Sequence, residues 1–277
     1  MSKRTAVSRR RVLAAAMMTP AVLVAADGPS SAARSGARVA IVTGASRGIG
    51  AATALRLARD GFAVTVNYRR GAAEAESIVG KIREAGGRGL AVQADVTSAA
   101  AVSRMFDLAE RELGGVDVVV SNAGVMHLAP IREMSDADFD SLMAVNLKGS
   151  FFVLREAARR VREHGRIIAV SSSITQLQSP TYGPYAATKA AQEILVNVLA
   201  KELAGRMISV NAVAPGVTNT PLFTDGKTPQ QIAGFADRTP HKRLGEPADI
   251  ADVIALLCSA DGEWINGQTV FANGGLV

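Results

Sequence analysis

The sequence predicts a single-domain α/β fold built on a doubly wound parallel sheet of about seven strands. From Arg38 onward, short apolar runs alternate with longer stretches of helical periodicity. Several runs, such as residues 116–121, are almost continuously apolar, because strands of a parallel sheet are covered on both faces. Regular strand–helix alternation indicates right-handed crossovers between parallel strands. With 277 residues, 48% of them hydrophobic, the chain is large enough to bury one such core.

Seven strands and six helices follow from this alternation. The strands are predicted at 39–43, 63–67, 89–93, 116–121, 166–171, 207–212 and 268–271. The helices are predicted at 49–60, 72–85, 99–113, 136–162, 184–203 and 247–257. No repeat, low-complexity linker or break in composition divides this region, so residues 37–277 are predicted to form one domain.

The first 36 residues are predicted to lie outside that domain. A basic cluster at residues 9–11 is followed by a mostly apolar stretch at 14–26 and then by small residues. This order is typical of an export signal, and the paired arginines resemble the twin-arginine type. Export is therefore expected, without stable membrane insertion, because Thr19 and Pro20 interrupt a run already short for a span. The alternatives are a disordered basic tail or an incorrectly assigned start codon, with a cytoplasmic protein.

The composition argues against several classes of function. The net charge of +6 arises mainly before residue 35, where six basic residues stand against one acid, so the rest is nearly neutral. A nucleic-acid partner would need a clustered basic face and stacking aromatics, and aromatics are only 4%. The single cysteine, Cys258, permits no internal disulfide and is expected to be a buried apolar residue. No cluster of histidine and cysteine predicts a metal site.

A glycine-rich turn connects the first predicted strand to the first predicted helix. It reads Gly44-x3-Gly48-x-Gly50. Glycines here permit a tight turn, close approach of the backbone to a phosphate, and close packing of helix on strand. The helix N-terminus then offers unpaired N–H groups to a pyrophosphate. The strand–turn–helix context predicts a dinucleotide site in a Rossmann-like sheet.

The end of the second predicted strand indicates which dinucleotide is bound. Enzymes that prefer NAD usually carry an acid there for the ribose 2′-hydroxyl. Here residues 67–70 read Asn-Tyr-Arg-Arg, with no acid between residues 61 and 73. Arginine suits a phosphate, because its planar fork donates two hydrogen bonds together, whereas a carboxylate would repel it. NADP(H) is therefore predicted; the alternative is that Arg69 and Arg70 belong to a solvated loop.

Further motifs follow the glycine turn in order. Residues 121–124 read Ser-Asn-Ala-Gly after the fourth predicted strand, and residues 215–216 read Pro-Gly after the sixth. Tyr185 and Lys189 stand four apart, with Ser172 thirteen residues upstream of Tyr185. Together with the Gly-x3-Gly-x-Gly spacing, this order resembles the short-chain dehydrogenase/reductase family over nearly all of residues 37–277. Ser121 departs from the family's usual Asn-Asn-Ala-Gly.

The resemblance implies a set of cofactor-binding residues. Arg47 lies where NADP users of the family carry a basic residue. Asp95 resembles the family's adenine-binding acid, although it could instead help to start the next helix. The implied set is Gly44, Ser46, Arg47, Gly48, Ile49, Gly50, Asn67, Tyr68, Arg69, Asp95, Val96, Asn122, Ala123, Gly124, Tyr185, Lys189, Pro215, Gly216, Val217 and Thr220.

Tyr185 and Lys189 are predicted to act together, because residues four apart share one face of a helix. A free tyrosine keeps its proton until about pH 10, and a nearby ammonium lowers that pKa. The resemblance implies that Tyr185 is the proton donor, that Ser172 hydrogen-bonds the substrate oxygen and that Lys189 also holds the nicotinamide ribose. It further implies that Asn146 helps to carry a water-linked proton path from Lys189. The predicted reaction is hydride transfer between nicotinamide C4 and a carbonyl carbon.

Neighbouring residues are assigned lesser roles. Tyr182 has no lysine four residues later and is interpreted as a pocket wall. Only the thirteen-residue offset selects Ser172 over Ser171 and Ser173. His127 is interpreted as a loop histidine, with substrate contact as the alternative.

The substrate is expected to be a small aldehyde or ketone. Specificity is predicted in the loops at 176–182 and 219–238, the second with a helical pattern at 228–237 that suggests a lid over an apolar pocket. Residues 225–229 and 262–267 resemble 3-oxoacyl-carrier-protein reductases and, more closely, NADPH-dependent aldehyde reductases of the family. A 3-oxoacyl thioester is the alternative substrate, and a cofactor-binding sensor without turnover is the rival of another class. The resemblance also implies a homo-oligomer, with a tetramer favoured.

Overall fold

Seven parallel strands form one sheet in the order β3-β2-β1-β4-β5-β6-β7. The computed structural model of the protein describes Met1 and residues 36–277, and the segment predicted to be an export signal lies outside these residues. The strands are β1 (Val39–Val42), β2 (Ala63–Tyr68), β3 (Gly89–Gln93), β4 (Val116–Ser121), β5 (Arg166–Val170), β6 (Ser209–Pro215) and β7 (Thr269–Ala272). The predicted single-domain, doubly wound α/β fold is confirmed.

Helices cover both faces of the sheet. Their bounds are α1 (Gly48–Arg59), α2 (Ala72–Glu84), α3 (Ala99–Glu112), α4 (Asp136–Leu142), α5 (Ser150–Arg160), α6 (Ile174–Leu177), α7 (Gly183–Glu202), α8 (Pro221–Thr224), α9 (Pro229–Arg238) and α10 (Pro247–Cys258). Helices α1, α2 and α10 share one buried cluster with the strands, and α3, α5 and α7 share the other. In β1, Ala40 and Val42 face the first cluster and Ile41 the second, as the two-residue period of a strand requires.

The order of the strands creates a crevice beside β1. The chain moves outward from β1 to β3 and then returns to place β4 on the other side of β1. Connections above β1 and β4 therefore run in opposite directions, and the carboxyl ends of these strands are left open. Both the glycine turn and residues 121–124 lie at this point.

The stretch predicted to be helical at 136–162 is helical over residues 136–160, but its middle part is not α-helical. A π-helical turn at Met143–Gly149 separates α4 from α5. A π turn closes hydrogen bonds over five residues instead of four, which apolar periodicity does not reveal. The fully buried Asn146 lies inside this turn.

Smaller differences occur at loops. The sixth strand begins at Ser209 instead of residue 207, because Met207 adopts a φ of 54° that an extended strand excludes. The short helices α6 and α8 are absent from the prediction, while α9 begins one residue after the helical pattern predicted at 228. Within the described part of the chain, no helix is long and apolar enough to cross a membrane.

Candidate active site

A cavity of about 620 Å³ opens at the carboxyl edge of the sheet. The turn between β1 and α1, the ends of the strands, the loop at 176–182 and the α8–α9 region form its walls. The cavity is lined by all the predicted cofactor-binding and catalytic residues except two, Gly50 and Asn146. Residues from six separate strand ends are thereby brought into one site.

The glycine turn is tightly packed against the end of β4. Gly44 has a φ of +62°, and a Cβ atom there would lie 2.9 Å from the Ala123 Cα atom. At Gly50, a Cβ atom would lie 2.5 Å from both the Gly44 carbonyl oxygen and the Asn122 Nδ2 atom. Gly50 therefore supports the turn from behind instead of lining the cavity. Glycine is needed at both positions, because other residues would displace the backbone.

The N-terminus of α1 is suited to bind an anion. Arg47 precedes the helix and provides no side-chain cap for its first N–H groups. These groups lie at the cavity, since Arg47, Gly48 and Ile49 all line it. Unpaired N–H groups and the helix dipole together favour a phosphate at this position. The chain thus fits the pyrophosphate of a dinucleotide.

Two asparagines and a threonine hold this turn in place. Asn122 Nδ2 donates to the carbonyl oxygens of Thr43 and Gly44, at 2.8 and 3.2 Å. The Thr43 hydroxyl accepts the N–H groups of Asn122 and Ala123, at 2.9 and 3.0 Å. Asn67 accepts the Gly44 N–H through Oδ1 at 3.2 Å and donates through Nδ2 to the Val92 carbonyl at 3.2 Å. Sequence reasoning missed Thr43, although its position directly before Gly44 was the available signal.

Basic side chains lie at the end of the cavity beside β2. Arg47, Arg69 and Arg70 line it and are exposed, and no acid follows β2 before α2. Arg69 Nη1 lies 3.7 Å from Asp95 Oδ2. Although burial raises the pKa of Asp95, hydrogen bonds from the Thr97 N–H and hydroxyl bring it below its ordinary value. The N-cap of α3 is Ser98, so Asp95 does not start that helix.

Ser172 and Tyr185 meet at the centre of the cavity. The Ser172 side chain lies close enough to the Tyr185 phenol to lower its pKa against the effect of burial, and its hydroxyl accepts the Ile174 N–H at 3.3 Å. The hydroxyls on either side are engaged elsewhere, because Ser171 donates to Glu193 at 2.6 Å and Ser173 to the Ala214 carbonyl at 3.1 Å. The geometry therefore pairs Ser172, not its neighbours, with Tyr185.

Lys189 is buried next to this pair, with 4% of its surface exposed. Its Nζ atom donates to the Val170 carbonyl at 2.7 Å and to Gln192 Oε1 at 3.4 Å. The same atom lies 5.8 Å from the centre of the Tyr185 ring. The side chains of Tyr185 and Lys189 thus share one face of α7, as their spacing predicts.

Burial is the largest cause of the pKa shifts of both Tyr185 and Lys189. It raises the pKa of Tyr185 to about 12, although the hydrogen bond from Ser172 opposes the shift. It lowers the pKa of Lys189 to about 8, although the Glu193 carboxylate opposes the shift. The lowering of the tyrosine pKa that the sequence suggested is therefore outweighed here by desolvation. Tyr185 keeps its proton at neutral pH, as a proton donor must.

Asn146 lies behind the cavity in the π turn. Its side chain accepts the Val125 N–H and donates to the Val125 carbonyl, both at 2.9 Å, and also donates to Thr188. Its backbone carbonyl accepts a hydrogen bond from Gln192 Nε2 at 2.5 Å. The link between Asn146 and Lys189 thus runs through Gln192, which sequence reasoning missed. Its spacing of three residues from Lys189, on the buried face of α7, was the available signal.

The opposite wall of the cavity is apolar and comes from loops. The predicted loops at 176–182 and 219–238 both contribute, through Leu177 and Tyr182 and through the α8–α9 residues Phe223 and Phe235. Tyr182 and Tyr185 pack at 6.4 Å between ring centres, and Phe223 and Phe235 pack edge to face at 5.1 Å. This wall provides a hydrophobic compartment beside Ser172 and Tyr185.

His127 lies where the sequence predicts, whereas Leu276 is a cavity residue that the sequence did not indicate. His127 does not line the cavity; its Nδ1 atom lies 3.1 Å from Asp138 Oδ1, which agrees with a loop histidine. Leu276, which follows β7, does line the cavity, and no motif or periodicity indicated this position. Across residues 36–277, no group of three potential metal ligands occurs.

The fold and the site together define a dinucleotide-binding oxidoreductase. A family model described as enoyl-(acyl carrier protein) reductase matches residues 44–277. The NADPH-dependent aldehyde reductase-like chloroplastic protein of Arabidopsis thaliana is 42% identical over 254 residues, which cover 87% of this chain and 94% of that protein. The chain belongs to the short-chain dehydrogenase/reductase family.

Solved structures agree with this assignment. A dehydrogenase/reductase from Sinorhizobium meliloti 1021 superposes with a TM-score of 0.83 at 39% identity, covering 87% of this chain and 95% of that one. A short-chain dehydrogenase from Burkholderia cenocepacia J2315 in complex with NADP superposes with a TM-score of 0.81 at 34% identity, covering 86% and 97%.

Proposed function

We propose that the protein is an NADP(H)-dependent reductase of small aldehydes or ketones. The observation that carries this proposal is the placement of Ser172, Tyr185 and Lys189 together in the cavity that also contains the glycine turn. A protonated phenol and a hydroxyl that meet at one point match the needs of a carbonyl oxygen that gains negative charge and then a proton.

The cofactor is proposed to lie along the strand ends, where it supplies the hydride when bound. The helix α1 N-terminus would hold the pyrophosphate, Arg47 and Arg69 the 2′-phosphate, and Asp95 the adenine. Lys189 would hold the nicotinamide ribose. NADP in the Burkholderia structure supports this choice of dinucleotide.

The protein's own residues then act on the substrate. The Ser172 hydroxyl donates a hydrogen bond to the carbonyl oxygen and fixes its position. Tyr185 transfers its phenolic proton to that oxygen as the carbonyl is reduced. Lys189 stabilises the phenolate that remains until a proton returns. The apolar wall formed by Tyr182, Phe223 and Phe235 keeps water away from the reacting carbon.

Two observations favour a small apolar carbonyl substrate. The wall beside Ser172 and Tyr185 is built mainly from aromatic and aliphatic side chains. The Arabidopsis relative is named for aldehyde reduction. A 3-oxoacyl thioester is the second candidate, which the acyl-carrier-protein description of the family model favours. The nearly neutral body of the chain offers little attraction to an acidic carrier protein, which supports the first candidate.

The test follows NADPH absorbance with a panel of aldehydes, ketones and 3-oxoacyl thioesters. Tyr185→Phe is expected to lower kcat by about a thousandfold while NADPH binding stays within about twofold, because the ring is kept and only the proton donor is lost. Tyr182→Phe is the matched control and is expected to keep most of the activity. A wild-type protein that binds NADPH and reduces no member of the panel would favour a sensor without turnover.

The assembly and location of the protein are further proposals. Phe151 of α5 and Ile194 and Val198 of α7 are exposed apolar residues, which supports a homo-oligomer, with a tetramer favoured. Ile194→Asp is expected to reduce the mass measured by light scattering. The arginines at positions 9–11 support export by a twin-arginine route. Replacing Arg9 and Arg10 with lysine is expected to retain the protein in the cytoplasm of the host, as fractionation would show.

A further inference from the structure

Gln192 is a buried amide with every polar atom engaged. It is 1% exposed and lies on α7, three residues after Lys189. Its Nε2 atom donates to the Asn146 carbonyl at 2.5 Å and to the Ser150 hydroxyl at 2.7 Å. Its Oε1 atom accepts from Lys189 Nζ at 3.4 Å. One side chain therefore joins Lys189 to the middle of the π turn and to the first residue of α5.

The orientation of this amide is fixed by its partners. The Asn146 carbonyl oxygen is only an acceptor, so the atom facing it must be the NH2 group. A Lys189 ammonium is only a donor, so the atom facing it must be the amide oxygen. Turning the amide over would place oxygen against oxygen and NH2 against the ammonium. Only one orientation of the Gln192 amide is therefore compatible with its partners.

The Lys189 ammonium has a defined set of neighbours. The Val170 carbonyl of β5 and Gln192 Oε1 of α7 are its acceptors, and the ionisable groups beside it are Tyr185 and Glu193, both also of α7. Ser171, which follows β5, donates to the Lys189 backbone carbonyl, and Asn146 of the π turn and Ser150 of α5 accept from Gln192; none of these groups is charged. Gln192 is therefore a neutral acceptor that holds the ammonium on the side away from the cavity.

We propose that Gln192 is a positioning residue that fixes Lys189 against the π turn and favours its protonated form. This role rests on the proposed function, because it matters for turnover only if Lys189 supports Tyr185. Because Nε2 donates to the Asn146 carbonyl and Oε1 accepts from Lys189, Gln192 provides a direct connection between Asn146 and Lys189 that needs no water. An amide holds such a connection in fixed geometry and does not itself exchange protons.

The test uses two substitutions that are expected to shift the pKa of Lys189 in opposite directions. Gln192→Met keeps the length of the side chain and removes the acceptor, so the pKa of Lys189 is expected to fall by about half a unit. Gln192→Glu replaces the acceptor with a carboxylate and is expected to raise it. The measurement is NMR titration of lysine Cε resonances in the full-length protein, with Lys189 assigned by the loss of its signal in Lys189→Met. A merely structural loosening would not shift the two variants in opposite directions.

A kinetic measurement accompanies the titration. Reduction requires protons on both Tyr185 and Lys189, so the high-pH limb of kcat is expected to move downward in Gln192→Met by the same half unit. Ser150→Ala removes the hydrogen bond between Gln192 Nε2 and the Ser150 hydroxyl. It is expected to leave the pKa of Lys189 unchanged within about 0.2 units. If Gln192→Met does not fold, Gln192→Glu still tests the proposal, because an unchanged or lowered pKa of Lys189 in that variant would overturn it.

Two results would overturn the assignment. The first is an unchanged Lys189 titration in both Gln192 variants, and the second is a shift of equal sign in both. The NMR readout is independent of turnover, so a protein that reduces no carbonyl would refute the proposed function and still decide the role of Gln192.

Discussion

The two sides of the cavity are built in different ways. The cofactor side consists of strand ends, the glycine turn and the start of α1, held by backbone hydrogen bonds and by the side-chain amides of Asn67 and Asn122. The substrate side consists of the loop at 176–182 and the short helices α8 and α9. No residue of α8 or α9 is buried, and they contact each other through the rings of Phe223 and Phe235.

This difference has a functional meaning. Backbone groups fixed by a sheet suit the cofactor, which is the same in every turnover. A rigid site of this kind also limits the entropy lost on binding. Side chains on short exposed helices open locally at low cost and exchange easily during evolution. We therefore expect substitutions on the first side to affect cofactor binding and stability, and those on the second to affect the choice of substrate.

The largest effect is expected at Gly50. Gly50→Ala introduces a Cβ atom 2.5 Å from the Gly44 carbonyl and from Asn122, so either the turn or α1 must move. The expected loss is about 2–3 kcal/mol in the free energy of unfolding and at least about a hundredfold in NADPH affinity. Thermal unfolding and NADPH fluorescence titration measure both quantities.

A second helical glycine provides the control. Gly80 lies inside α2 with no atom within 4 Å of an added Cβ. Gly80→Ala is expected to stabilise the protein by about 0.5–1 kcal/mol and to leave NADPH affinity unchanged. Equal changes in stability and NADPH affinity in the two variants would contradict the tight packing of the glycine turn around Gly50.

The second effect concerns the stability cost of Lys189. Its folded pKa of about 8 lies below the ordinary 10.5, so the unfolded chain binds more protons between these values. Wild-type stability should therefore rise as the pH increases from 8 to 10.5. Lys189→Met removes this dependence and, after loss of the hydrogen bond to Val170, is expected to be more stable by about 2 kcal/mol at pH 7.

Chemical denaturation across this pH range measures the difference between the two proteins. The advantage of Lys189→Met should stay constant below pH 8 and disappear above about pH 10.5. An advantage that does not depend on pH would mean that desolvation of the ammonium is not its cause.

The sequence predicts the features that depend on recurring backbone geometry, such as the glycine turn. It does not predict the features that depend on tertiary packing. The spacing of Gly44, Gly48 and Gly50 predicts the turn, because only glycine tolerates the close contacts there. The parallel, doubly wound architecture likewise follows from strand–helix alternation and the handedness of crossovers, whereas the strand order comes from the structure. The π turn around Asn146 was not predicted, because a segment of seven residues is too short to display a period that differs clearly from that of an α-helix.

The missed residues share a physical reason. Gln192 and Thr43 act through hydrogen bonds to backbone carbonyls and N–H groups that are distant in sequence. Leu276 reaches the cavity because the segment after β7 folds back over it. Such partners become known only when the tertiary structure brings them together.

The third effect tests the basic end of the cofactor side. Arg69→Ala is expected to lower kcat/KM for NADPH by about 10- to 100-fold, because a charge-assisted contact with a phosphate is lost. With NADH, the value should change by less than about twofold. Arg59→Ala, an exposed arginine of α1 outside the cavity, is expected to alter neither. An equal fall with both cofactors would show that Arg69 acts through Asp95 and not through the 2′-phosphate.

The smallest effect should isolate the substrate side. Phe235→Ala removes the edge-to-face contact with Phe223, so α9 loses its main attachment to α8. Such a ring pair contributes about 0.5–1.5 kcal/mol beyond its buried area, and KM for the carbonyl substrate is expected to rise about three- to tenfold. KM for NADPH should stay constant, because no part of the cradle depends on α9. Phe235→Leu, which keeps an apolar contact, should lie between wild type and alanine. If KM for NADPH rose in parallel, the two sides of the cavity would form one cooperative unit, and their separate construction would have no functional meaning.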